Sequence, residues 1–235
     1  MKYKDFRGHE IKRSKPKSYK QASSYRQHLE RDFQHRCGYC NYSDRYSMVP
    51  FEIDHFIPKA SFKNLNDALM TKYENLMYSC EKCNNAKGNQ FAGDVFSPTC
   101  SNDLFYDPTR MDYNLVFYRD ENGIIASDDE KGRDMIVRLR LYRTIHILAW
   151  LCEELEAKKD ELKIKYECEA NPVKREQLHR VYISILEYYS EFRDTFNASY
   201  RNERIDRESV IEMVRRIEGN DSDNEDNRTH DSKQK

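Results

Sequence analysis

Cys37-Gly38-Tyr39-Cys40 and Cys80-Glu81-Lys82-Cys83 are two C-x2-C pairs separated by 39 residues. Between them lie Glu52-Ile53-Asp54-His55-Phe56-Ile57-Pro58-Lys59 and Asn75-Leu76, and the second pair runs directly into Asn84-Asn85-Ala86-Lys87-Gly88. Four cysteines in this pattern can supply four thiolates to one tetrahedral zinc. Buried free thiols and a redox C-x-x-C are the alternatives. Two pairs without a strand-helix thioredoxin pattern favour zinc. A zinc knuckle needs only its cysteines. A hydrolytic site also needs a base and oxygen ligands, and the same window holds an Asp-His pair and two well-placed asparagines.

The order C-x2-C, D-H-x-x-P-K, N-L, C-x2-C-N-x-x-K-G resembles the HNH endonuclease superfamily in its cysteine-containing branch. That resemblance covers about a fifth of the chain and implies a ββα-metal fold with Asp-His on the hairpin and the last signature residue on the helix. It implies His55 as general base, with Asp54 and Asn84 as ligands of a catalytic divalent ion, Mg2+ or Mn2+. Asn75 takes the middle position in a supporting role, and Lys87 and Lys59 are candidates for substrate phosphate. Cys37, Cys40, Cys80 and Cys83 would hold a structural Zn2+.

Physical chemistry supports these roles without the resemblance. Phosphodiester hydrolysis needs an activated water and positive charge against the phosphate. A neutral histidine can take the water's proton near neutral pH, and carboxylate or amide oxygens suit a hard cation. Adjacent strand residues point to opposite faces, so Asp54 and His55 share a site only where the strand ends or twists. Plainer readings stand beside each role: His55 as a hairpin histidine, Asn75 and Asn84 as turn or cap residues, and Lys87 and Lys59 as solvated surface lysines.

The chain of 235 residues is highly polar, with 34% charged residues and a mean hydropathy of -1.00, yet 17 tyrosines argue against wholesale disorder. Net charge is -1, which excludes a uniformly basic nucleic-acid coat. Residues 1–36 carry eleven Lys/Arg against four Asp/Glu, and residues 218–235 carry six acids against three bases. A basic arm beside the candidate site fits phosphate attraction, or is simply a solvated terminus. No apolar run approaches the ~18 residues of a membrane span, and the start lacks a signal peptide's apolar region. The remaining Cys100, Cys152 and Cys168 are odd in number and scattered, so a reducing, cytoplasmic setting is expected.

Outward from the cysteines, Tyr25, Leu29 and Phe33 recur every four residues and predict a helix over 23–35. Residues 47–57 read as the strand that carries the base, and Phe62, Leu65, Ala68, Leu69 and Tyr73 predict a short helix where the family has a Gly-rich loop. Residues 115–118 and 124–125 flank Asp120-Glu121-Asn122-Gly123, a hairpin. Ser127-Asp128-Asp129-Glu130 has capping-box form ahead of one long helix with Ile136, Leu139, Tyr142, Ile145, Leu148, Leu151 and Leu155 on its stripe. Asn171-Pro172 opens a second helix, and Asp206 caps a third through Val210, Met213, Val214 and Ile217 to Gly219. His146 and His179 read as ordinary helix histidines.

These readings predict an α+β protein: a zinc-stapled ββα-metal (HNH) module followed by a mainly α-helical C-terminal domain. The expected segments are a basic arm (1–22), the nuclease domain (23–100), a hairpin connector (101–127), a helical domain (128–219) and a disordered acidic tail (220–235). The expected activity is metal-dependent endonucleolytic hydrolysis of nucleic acid, DNA before RNA. The alternatives are a non-catalytic zinc-dependent nucleic-acid-binding module and an interaction protein. The layout further resembles bacterial anti-phage defence nucleases of the PtuB type. That resemblance implies a partner ATPase of the PtuA type docked on the helical domain, which is also the candidate surface for a homodimer.

Overall fold

The computed structural model describes residues 4–201 and 205–216, and the chain divides into two compact units, Met1–His146 and Ile147–Lys235. The first contains two small antiparallel sheets and the second is helical among its described residues. The α+β class and the helical C-terminal region are as the sequence predicts.

In the first unit, β1 (Lys4–Asp5) precedes α1 (Arg26–Asp32), which extends a 3-10 turn at Ala22–Tyr25. Tyr25, Leu29 and Phe33 are all buried, as their four-residue spacing requires. β2 (Glu52–His55) follows Pro50, which has no amide proton to give a ladder. The strand is therefore shorter than the predicted 47–57. It pairs antiparallel with β3 (Leu76–Ser79) in the register Glu52↔Ser79, Ile53↔Tyr78, Asp54↔Met77 and His55↔Leu76. Cys80 caps α3 (Glu81–Lys87) immediately after β3, which completes a ββα unit. Gly88 ends that helix at φ 50, a conformation that disfavours a Cβ.

Between β2 and β3 the chain forms α2 (Lys59–Phe62) and two 3-10 turns, Asp67–Met70 and Tyr73–Asn75. Ile57, Phe62, Leu69 and Cys100 form a buried cluster, with Met70, Phe91 and Val95 packed against it. The loop therefore has its own apolar anchor.

The second sheet has the order β1-β4-β5, with β4 at Tyr118–Arg119 and β5 at Ile125–Ala126. The expected hairpin is present but short, because 113–115 coils into a 3-10 turn. Asp120 closes the turn by accepting from the Asn122 and Ile124 amides. Lys4 and Asp5 pair with Arg119 and Tyr118, and Phe6, Arg7 and Ile11 are buried. The described part of the expected arm thus packs onto the unit. Arg7 donates to the Gly38 carbonyl and Arg13 to the Tyr73 carbonyl, so those two charges serve structure rather than phosphate attraction.

The single long helix expected from residue 128 is two helices, α4 (Glu130–Arg138) and α5 (Thr144–Cys168), broken where Arg140 adopts φ 53. Met135, Leu139 and Leu141 are buried across the break, while Tyr142 is exposed. Asp129, not Ser127, caps α4 by accepting from the Gly132 amide; Ser127 donates instead to the Val116 carbonyl.

In the second unit, α6 (Pro172–Tyr200) starts as expected, with Asn171 accepting from the Val173 and Lys174 amides. Tyr166 of α5 stacks on His179 of α6, so the two helices form a hairpin. A further helical segment spans 207–216; Asp206 accepts from the Ser209 amide, and Arg216 pairs with Glu191 at 3.0 Å. Leu151, Leu155, Ile185, Phe192, Phe196, Val210 and Val214 are buried here. The predicted helix end at Ile217 and Gly219 and the predicted tail at 220–235 lie outside the described residues. No described helix is long and apolar enough to cross a membrane.

A Cβ on Gly132 would overlap the Ser127 hydroxyl and come within 2.8 Å of Val116. Alanine favours a helix interior over glycine by about 1 kcal/mol, but overpacking costs about 1–3 kcal/mol. The Ser127 hydroxyl, engaged at 2.6 Å, cannot move without losing its bond. Gly132→Ala is therefore expected to lower the denaturant midpoint of the first unit; a raised midpoint contradicts this packing.

Candidate functional site

The first cysteine pair sits in a tight turn, where the Cys37 amide donates to the Tyr42 carbonyl and the Asn41 amide to the Cys37 carbonyl. The second pair straddles the start of α3. A bond from the Gly38 amide to the Tyr78 carbonyl, at 2.9 Å, ties the two turns together. All four thiols are buried, and their Sγ atoms lie within 4.8 Å of one another, with Cys40 and Cys80 at 3.8 Å. A regular tetrahedron with zinc–sulfur bonds of ~2.3 Å has edges of about 3.8 Å. The four cysteines therefore fit zinc, in a closed structural site.

Thiol chemistry points the same way. Burial raises the Cys37 thiol, but hydrogen bonds from Cys40, Cys80 and Cys83 outweigh it and hold Cys37 well below its ordinary value. Burial and the Cys37 and Cys80 contacts push Cys40 well up against an opposing pull from Cys83, and the Cys37, Cys40 and Cys80 contacts with burial push Cys83 well up. Four thiolates cannot coexist here without a cation, and a divalent ion supplies one. Arg7 lies against this cluster with its guanidinium 4.5 Å from the Tyr113 ring centroid. Its Nε and Nη1 are enclosed without hydrogen-bond partners, and Cys37 and Cys40 are among the groups that favour its charge. A four-thiolate zinc held here would carry net negative charge, which Arg7 would offset.

The strand and the helix then present two rows of polar side chains. Glu52 and Asp54, two apart on β2, share a face. Asn84 and Lys87, three apart on α3, share another. The rows meet: Asn84 Nδ2 donates to Glu52 Oε2 at 2.5 Å, and Lys87 Nζ donates to Asp54 Oδ1 at 3.0 Å and to the His55 carbonyl at 2.8 Å. The Tyr39 hydroxyl donates to the other Asp54 oxygen, Oδ2, at 2.5 Å. Burial pushes the Asp54 carboxyl up, although Lys87 and Tyr39 pull against it.

His55 turns the other way. Its Nε2 lies 2.9 Å from the Met70 carbonyl, an acceptor only, so Nε2 carries the proton and Nδ1 carries the lone pair. Among the described residues nothing bonds Nδ1, and it is not among the enclosed unpartnered atoms. Burial lowers the His55 pKa from 6.5, and exposed Lys59 lowers it further, so the imidazole is neutral near ~pH 7. Asn75 is 0% exposed; its Oδ1 accepts from the Ile57 amide and its Nδ2 donates to the Ile57 and Leu69 carbonyls. It thus braces the loop that ends in Met70, the partner of His55.

Residues 37–90 match the HNH endonuclease family model. No curated protein and no solved structure matches the chain. The matched stretch begins at the first cysteine of the cluster and ends just beyond α3.

Two expectations for the HNH domain meet a different arrangement. Lys87 is not a solvent-facing phosphate contact: it is 0% exposed and is ion-paired with Asp54. Asp54 does not present free oxygens to a divalent ion, because an ammonium holds one and a phenol the other. As they stand, these residues do not fit such an ion on Asp54. Asn84 is half-buried on Glu52, and no bond joins the His55 side chain to Asp54 or Asn84. Lys59 remains a surface cation close enough to influence His55.

Glu52 and Tyr39 were not singled out in the sequence. Glu52 was within reach, since it is two residues before Asp54 on a strand. Tyr39 carried no signal, because a tyrosine inside a zinc turn looks like filler.

Zinc binding supplies the folding free energy of small four-thiolate modules, about 10–16 kcal/mol in peptides. Cys37→Ser is expected to abolish stoichiometric zinc and to unfold the first unit; bound zinc with an unchanged melting curve refutes the site. Asn75→Ala strands buried backbone groups and is expected to cost about 3 kcal/mol or more in chemical denaturation, with zinc retained.

Proposed function

We propose that this HNH domain hydrolyses phosphodiester bonds of nucleic acid, DNA before RNA, with His55 as general base. The observation that carries this reading is the locked tautomer of His55: Nε2–H is committed to the Met70 carbonyl and Nδ1 is left as a proton acceptor. Nδ1 takes the proton of a water attacking phosphorus as the bond to the leaving oxygen breaks. Asn75 holds the loop that orients the ring, and Lys59 lends positive charge at the edge of the site. HNH nucleases use divalent metals, which offset phosphate charge and aid the leaving oxygen. Mg2+ or Mn2+ is the proposed ion; the four-cysteine zinc has no open position and takes no part in the chemistry.

The wider setting proposed is an anti-phage effector working with a PtuA-type ATPase. Its support is the order of an HNH domain followed by a helical region. The exposed Ile164 and Val173 of the helical unit, 63% and 69% accessible, are suited to a partner or a second copy. The closed Asp54–Lys87 pair favours a second reading, a zinc-dependent nucleic-acid-binding module without chemistry.

Incubation with plasmid, single-stranded DNA and RNA, with Mg2+, Mn2+ or chelator, separates the two readings. His55→Ala is expected to retain zinc and its melting curve and to lose at least ~100-fold in cleavage. Retained cleavage removes His55 as base, whereas binding without cleavage by the wild type supports the second reading. The lowered His55 pKa sets the sign with pH: the neutral base is lost as pH falls through a value below 6.5. Cleavage should therefore decline on the acid side with its midpoint below 6.5; a midpoint above 6.5 contradicts the assignment.

A further inference from the structure

Lys87, at the end of α3, grips β2 at two points: its ammonium donates to Asp54 Oδ1 at 3.0 Å and to the His55 carbonyl at 2.8 Å. The other Asp54 oxygen accepts from the Tyr39 hydroxyl, and both Lys87 and Asp54 are buried. We infer that Lys87 is a positioning residue for His55. Asp54, steadied by Tyr39, is the counter-charge that keeps the Lys87 ammonium in place, not a ligand of a divalent ion. The inference rests on the nuclease reading for what the positioned ring does, and it departs from the role that the family resemblance gives Asp54.

Two holds meet on His55. The loop fixes its ring, with Nε2 at 2.9 Å from the Met70 carbonyl. The helix fixes its backbone, with Lys87 on the carbonyl. His55 is the last residue of β2, and the ends of elements loosen first, so an anchor has most effect there. A charged donor makes the stronger hydrogen bond. An ammonium in an enclosed site is costly unless a carboxylate partners it, and Asp54 does so. With Lys87 on one oxygen and Tyr39 on the other, that carboxylate is fully engaged. Helix α3 carries Cys83 near its start and Lys87 at its end, so the element that is fixed by the cysteine cluster also fixes the proposed base.

The test is ring-nitrogen NMR of the zinc-loaded full chain labelled with nitrogen-15 histidine, the His55 signals being those lost in His55→Ala. The wild type is expected to show His55 as one tautomer, protonated at Nε2. Lys87→Met is expected to retain zinc and to move both His55 ring nitrogens toward averaged values; unmoved signals overturn the inference. Should Lys87→Met fail to fold, Lys87→Met with Asp54→Leu removes both charges together and is read by the same signals, with the same two outcomes. Asp54→Asn is expected to bind Mn2+ as the wild type does, followed by the electron paramagnetic resonance of free Mn2+; a loss on the order of ten-fold makes Asp54 a ligand and overturns the inference. On a cleaved substrate, Lys87→Met is expected to lower kcat on the order of ten-fold or more with KM kept. A raised KM with kcat kept makes Lys87 a phosphate contact and also overturns it. Absence of cleavage by the wild type with every metal defeats the nuclease reading alone and leaves the ring signals to decide the positioning role.

Discussion

Four sulfurs within 4.8 Å of one another are the constraint on which the HNH domain depends. They join a turn at residues 37–40 to a helix start at 80–83, closing a long loop. The two-stranded sheet between them is only four residues long, and an isolated hairpin of that size is marginal in water. The zinc expected on these thiols turns a weak ββα unit into a rigid platform. Arg7 belongs to the same design, since a buried guanidinium needs negative charge nearby, and Tyr113, Cys37, Cys40 and Asp112 all favour its charged form.

A second level of order comes from buried polar groups that hold loops rather than do chemistry. Asn75 bridges Ile57 and Leu69 backbone atoms. Asp32 gathers the Ser14 amide and hydroxyl and the Tyr73 hydroxyl, which pins the N-terminal segment to α1 and to the loop before β3. Among the described residues no carboxylate bonds the His55 ring, and a backbone carbonyl orients it instead. A carbonyl fixes the tautomer without adding charge beside the ring.

Asp54, Lys87, Glu52 and Asn84 show how one helix–strand contact serves two ends. Residues two apart on a strand meet residues three apart on a helix, so the packing of α3 on β2 itself closes two polar pairs. The same contact that stabilises the unit also occupies the carboxylate expected to hold metal. Stability of the fold and the proposed chemistry pull in opposite directions at this point.

Much of this was legible in the chain. C-x2-C spacing, the Asp-His pair and the Asn84 position follow local rules of ligand spacing and periodicity, and so do the caps at Asn171 and Asp206. These determined the α+β class, the zinc cluster and the location of the proposed base. The break at Arg140, the use of Asp129 as cap and the folding-in of residues 4–13 were not legible, because each depends on what a side chain meets far along the sequence. Lys87 is the clearest case: in sequence it is a helix-end lysine, and only the approach of Asp54, 33 residues away, makes it a buried ion pair. A charge's fate is decided by its neighbours in space, and those are what the tertiary structure alone supplies.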